Sequence, residues 1–146
     1  MSQSPLYHWS LLVLLMALPL SGCGTPPTAA PTPVATALPA ATDLAPQLSV
    51  AEVQRLYAAG EVVIIDVREE SEFQQGHIPG ARLMPLDEIA DHLSEIPRDE
   101  TVVVVCRSGA RSARAYQYLQ EQGFTNVHNM QGGMLEWIAA GYETEE

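Results

Sequence analysis

Residues 101–112 read TVVVVCRSGARS and set Cys106 between an apolar run and the arginines Arg107 and Arg111. Cysteine reacts as its thiolate, so a working Cys106 needs surroundings that favour negative charge. Two such devices are legible. The stretch runs into a helical pattern over 112–122, whose unpaired first N–H groups and dipole attract an anion. Arg107 and Arg111 add fixed positive charge, and Gly109 permits a turn in which successive N–H groups point inward as an anion nest. Three of the seven arginines (Arg107, Arg111 and Arg114) crowd into residues 107–114, and the chain has no lysine. The plainer reading of Cys106 is an inert, buried cysteine at a strand end. The charged Arg107 directly after it argues against deep burial.

These residues need elements to hold them. TVVVVC (101–106) and VVIIDV (62–67) are short, continuously apolar, β-branched runs, the pattern of strands covered on both faces. RLM (82–84) and NVHNM (126–130) read as shorter strands. Ser49 and Glu52 form a capping box that starts a helix ending near Gly60. EESEFQQG (69–76) is a short helix stopped by Gly76, and His77, Pro79 and Gly80 mark a turn. Apolar residues at 86, 89, 90, 93 and 96 predict a helix over 86–96. SARAYQYLQEQG (112–123) predicts a helix closed by Gly123, and GGMLEWIAAG (132–141) a final short one. Helices alternating with apolar strands imply an α/β fold, a mostly parallel central sheet with helices on both faces. In such sheets ligands sit at the carboxyl ends of strands, where Cys106 lies.

The chain has 146 residues and a formal net charge of −11. An acidic protein is a poor general binder of nucleic acid or anionic lipid, so an anion has to be drawn in by local charge. The first 47 residues are of another kind. LLVLLMALPL (11–20) is too short to span a bilayer and has the length of a signal-peptide h-region. LSGC (20–23) follows and resembles the lipobox of bacterial lipoproteins, which implies lipidation (palmitate among the acyl groups) at Cys23. The segment before it, MSQSPLYHWS, carries no lysine or arginine. Residues 24–47 hold six prolines, one charge and no aromatic residue, the composition of an extended tether. The expected organisation is a lipoprotein signal peptide over 1–22, the lipidated Cys23 with its Pro/Ala/Thr-rich linker over 23–47, and one folded domain over 48–146. The expected location is an exported, membrane-anchored one, on a periplasmic or extracellular face.

CRSGARS (106–112) resembles the active-site loop of the single-domain rhodaneses, a family of sulfurtransferases. IIDVREESEFQQGHIPGA (64–81) resembles that family's first block, and MQGGMLEW (130–137) its closing one; the three together cover 48–146. The resemblance implies a rhodanese-like fold and a thiosulfate sulfurtransferase. Cys106 would take sulfane sulfur from a donor such as thiosulfate as a persulfide and pass it to cyanide or a thiol. The main-chain N–H groups of Arg107, Ser108, Gly109, Ala110 and Arg111 would cradle the persulfide, and Arg111, helped by Arg107, would hold the anionic donor. No cofactor, nucleic acid or metal is implied, and a monomer is assumed; four scattered histidines offer no ligand spacing for zinc.

Other residues have plainer expected roles. Asp66 and Arg68 make supporting polar contacts, Glu72 pairs locally with an arginine, His77 fixes a turn, and His92 and His128 lie at or near the surface. Gly132 and Gly133 permit close backbone approach, Trp137 is core, and the last residues, ETEE, fray. Two rival functions remain. Cysteine-dependent phosphatases place five residues between cysteine and arginine, whereas four separate Cys106 from Arg111, a tighter cradle suited to one sulfur atom; arsenate reduction is a related possibility. The other rival is a non-catalytic rhodanese-like regulatory module, a kind that usually lacks the cysteine.

Overall fold

The computed structural model describes residues 44–146. The expected signal peptide, the lipidated Cys23 and nearly all of the linker lie outside the described residues. Five strands form one sheet in the order β1-β5-β4-β2-β3. They are β1 (Gln47–Leu48), β2 (Val62–Asp66), β3 (Arg82–Leu83), β4 (Thr101–Val105) and β5 (Val127–Met130), and every pairing is parallel. The helices are α1 (Val50–Ala58), α2 (Glu70–Phe73), α3 (Ala110–Glu121) and α4 (Gly133–Ala139). This is the α/β architecture expected from the alternation of the elements, and the sheet is parallel throughout.

The valine run explains the layers. Side chains alternate across a strand. Val102, Val104 and Cys106 face a layer built by Ala115, Tyr116 and Leu119 of α3 together with Ile65 and Phe124. Val103 and Val105 face the other layer, which holds Val53 and Leu56 of α1 and Met134 and Trp137 of α4. Strand β4 is therefore buried on both faces, and its carboxyl end delivers Cys106 beneath the start of α3.

Several local expectations change. Residues 86–96 form no α-helix: successive i→i−3 bonds (Glu88 N–H to Pro85, Asp91 to Glu88, His92 to Ile89, Glu95 to His92) make a chain of turns. It ends in a 3₁₀ turn at Leu93–Glu95. Spacings of three residues, 86/89 and 93/96, suit such turns as well as an α-helix, and Pro85 and Pro97 bound the segment. His128 is buried, and its Nδ1 meets the Ala45 carbonyl at 2.8 Å. The Ala45 carbonyl reaches Nδ1 because the 45–48 backbone pairs alongside β5, with Asn129 N–H donating to Pro46 and Gln131 N–H to Leu48.

The end of the chain does not fray. His77 and Glu145 exchange both backbone hydrogen bonds at 2.9 Å. Trp137 Nε1–H donates to the Glu143 carbonyl at 2.9 Å, and the Glu145 carboxylate accepts from Gly80 N–H at 2.9 Å. Four acidic or polar letters hide this in the sequence, because the bonds are made by main-chain groups that any residue supplies.

Candidate functional site

The chain turns sharply after Val105. Gly109 caps α3 with φ +91°, a left-handed conformation that suits glycine. A Cβ there would stand 3.2 Å from Gly132 N and 3.3 Å from Met130 O, so the loop lies flat against the β5–α4 connection. From the other side, a Cβ on Gly133 (φ +57°) would collide with the Cys106 carbonyl oxygen and the Arg107 carbonyl. The close approach is used at once: Met134 N–H donates to Cys106 O at 2.9 Å and Leu135 N–H to Arg107 O at 3.0 Å. The loop is thus clamped between α3 and α4 by its own main chain.

Cys106 is a free thiol and 1% exposed, deeper than its charged neighbour suggested. The strand alternation sends Sγ inward under the loop, while Arg107, one residue on, is exposed. Inside, Gly109 N–H points at Sγ at 3.2 Å and the Ser112 hydroxyl at 3.4 Å. Burial alone pushes the thiol up. The Ser112 hydroxyl, together with the N–H groups of Ser112, Ser108 and Gly109, outweighs it and holds the Cys106 thiol below its ordinary 9.0. Hydrogen bonds at the start of α3, more than the arginine charges, make the anion tolerable. Ser112 was not among the expected donors. Its signal is positional: it falls in the first turn of α3, where an inward side chain meets the end of β4.

The arginines divide. Arg111 sets both terminal nitrogens on the Glu72 carboxylate at 2.7 Å each, a bidentate pair that spans 39 residues and is not local. The Arg111 guanidinium holds Glu72 below its ordinary 4.5, and Glu72 in turn raises Arg111. Arg68 is committed as well. Its Nε and Nη2 bind Asp66 at 2.7–3.0 Å, and Nη2 also reaches the Gly76 carbonyl at 2.9 Å. Asp66 is fully buried, so this pair ties the end of β2 to the turn after α2. Arg107 has no acidic partner among the described residues. It opens onto a cavity of about 330 Å³ with Arg68, Glu72, Met134, Leu135 and Ile138 in its wall. Ser108 and Ala110 are exposed on the loop. His77 faces elsewhere: its ring stacks on Phe73 at 3.6 Å, with Nδ1 on the Phe73 carbonyl and Nε2 3.4 Å from Glu145.

A buried thiol under inward N–H groups at the mouth of a parallel sheet is a site for an anion on sulfur. Residues 49–140 match the rhodanese-like domain. The chain belongs to the rhodanese-like family. A sulfurtransferase of Allochromatium vinosum is 44% identical over 88 residues, 60% of this chain and 82% of that protein. The thiosulfate sulfurtransferase GlpE of Pseudoalteromonas translucida is 38% identical over 99 residues, 68% of this chain and 94% of that protein. Among solved structures, a rhodanese-related protein of Thermoplasma volcanium superposes with a TM-score of 0.64 at 28% identity, covering 68% of this chain and 96% of its own. The rhodanese-like fold expected from the three sequence blocks is the fold observed.

Proposed function

We propose that this rhodanese-like protein is a thiosulfate-type sulfurtransferase with Cys106 as its nucleophile. The observation that carries the reading is the pair of donors aimed at Sγ from the first turn of α3, Gly109 N–H and the Ser112 hydroxyl. They stabilise a thiolate before reaction and suit a persulfide anion after it. The thiolate attacks the outer sulfur of thiosulfate, the S–S bond breaks, and its electron pair leaves with sulfite. Cyanide or a thiolate then attacks the outer sulfur of the persulfide, and the electron pair of that S–S bond returns to Cys106. Because Sγ is nearly enclosed, the group it attacks has to be thin, and a terminal sulfur atom is. The N–H groups of Ser108, Gly109 and Ser112, with the Ser112 hydroxyl, form the cradle. Arg107 is the guanidinium placed to draw the donor; Arg111, held by Glu72, braces the loop, and Asp66 with Arg68 supports the wall.

The sulfurtransferase names of the relatives agree with this reading, as does the spacing of four residues between Cys106 and Arg111. The chain has one cysteine besides Cys106, and lipidation of Cys23 would leave Cys106 to discharge its persulfide only to an external acceptor. The apolar run before Cys23 supports an exported protein anchored by lipid. The test of function is thiocyanate production from thiosulfate and cyanide. It is expected from the wild-type chain and absent from Cys106→Ser. Cys106-dependent hydrolysis of an aryl phosphate, without thiocyanate, would replace sulfur transfer by phosphatase chemistry.

A further inference from the structure

A groove of about 260 Å³ runs between the turns after β3 and helix α3, with Leu86, Asp87, Ile89 and Ala90 on one side and Arg114 and Tyr118 on the other. Ile89 is buried and forms its floor. Half-buried Leu86 and Tyr118 pack on the same apolar layer as Cys106. Main-chain bonds hold the groove beside the cysteine loop. Leu86 N–H donates to Val67 O, and Val67 N–H to Val105 O, one residue before Cys106. Arg114 and Tyr118 stand one turn apart on the helix that starts at the loop. The groove shares no residue with the cavity that Arg107 enters.

Its two sides carry opposite charge. Arg114 and Asp87 are both exposed, and neither has an ion-pair partner among the described residues. Glu88 and Asp91, also exposed, make the Asp87 side acidic. An occupant that complements the groove carries an apolar body between a carboxylate, for Arg114, and a cation, for Asp87. Pockets that enclose a small molecule hold roughly 300–1,000 Å³ and bury most of it. This groove is smaller, and three of its six lining residues are exposed, so it suits one side chain of a larger partner. A second copy is a poor partner, since two chains of net charge −11 repel each other. The chemistry itself calls for a partner. Sγ is nearly enclosed, and Cys106 is the only cysteine among the described residues, so a persulfide there passes to another molecule.

We propose that this groove docks the sulfur acceptor, a thiol protein whose contact segment carries one large apolar side chain between a carboxylate and a cation. This names the partner of the sulfur-transfer reading and rests on it. The apolar side chain lies on Leu86, Ile89 and Tyr118, the carboxylate meets Arg114, and the cation meets Asp87. The acceptor's thiolate attacks the outer sulfur of the Cys106 persulfide. The S–S bond breaks, its electron pair returns to Cys106, and the acceptor leaves as a persulfide.

The experiment uses the full chain with Cys23→Ser, so that Cys106 is the single thiol, after loading with thiosulfate. The probes are synthetic peptide thiols in which a cysteine is joined, through glycine spacers of increasing length, to aspartate, phenylalanine and lysine in that order. Loss of the added sulfur is followed by intact mass, with cyanide and 2-mercaptoethanol as small acceptors. At the best spacer length the peptide should discharge the persulfide about tenfold faster than its counterpart with alanine for phenylalanine. Arg114→Glu and Asp87→Lys, both surface changes, should each slow the peptide by about fivefold and leave the two small acceptors unchanged. Equal rates for the phenylalanine and alanine peptides at every spacer length would overturn the docking site. A peptide rate untouched by both charge reversals would overturn it too. A chain that never gains sulfur from thiosulfate would fail the parent reading instead, and the docking site with it.

Discussion

At the scale of single residues, the chemistry depends on how a buried sulfur can be charged. Its burial opposes the thiolate, and a set of short donors from the start of α3 reverses that sign. Ser112→Ala removes one donor while Gly109 N–H remains. The account expects the Cys106 thiol to rise, with alkylation at neutral pH slowed by roughly tenfold, read from the pH dependence of the alkylation rate. Arg111 and Glu72 make a second residue-level case. Glu72 is held below its ordinary 4.5, so the stability its ion pair contributes is present above pH 4.5 and lost as pH falls through its lowered value in the folded state. Both partners are about a third exposed or less, which limits the contribution to about 1 kcal/mol. Glu72→Gln should lower stability by about that much at neutral pH and flatten the acid limb of the denaturation profile. An unchanged acid limb would mean that the pair adds nothing to the fold.

At the scale of elements, the loop is made by its neighbours. Gly109 packs onto the connection to α4, and the N-terminus of α4 packs onto the carbonyls of residues 106 and 107. Gly133→Ala would force a Cβ into the Cys106 and Arg107 carbonyls at a positive φ, so a loss of about 2–4 kcal/mol is expected in denaturant melts. Sulfur transfer should fall with it, since the loop moves when the clamp does. Much of this level was legible in the chain: continuous β-branched runs give buried strands, and the Ser49/Glu52 box starts α1 where it is found. Gly132 and Gly133 were readable as a close approach, though not what they approach. The segment 86–96 misled because its apolar spacing serves two kinds of turn. The depth of Cys106 and the partner of Arg111 were not legible, since both depend on which face of β4 meets α3 and on a contact 39 residues away.

At the scale of the whole molecule, an acidic protein gathers inward N–H groups and guanidinium groups at the carboxyl end of its central strand. Arg68 and Arg111 are already paired there, and Arg107 has no acidic partner among the described residues. The last residues close the fold by pairing Glu145 with His77. The first 43 residues lie outside the described structure, and their reading as signal and tether rests on composition. Cys23→Ser, expressed in a bacterium, should move the protein from the membrane fraction to the soluble one. Retention in the membrane would refute the lipid anchor.

The central claim is that Cys106 carries sulfur. Intact-mass measurement of the chain after incubation with thiosulfate tests it most directly. The account predicts a gain of one sulfur atom, reversed by cyanide and missing from Cys106→Ser. An unchanged mass with thiosulfate, from a protein whose Cys106 still alkylates, would contradict it.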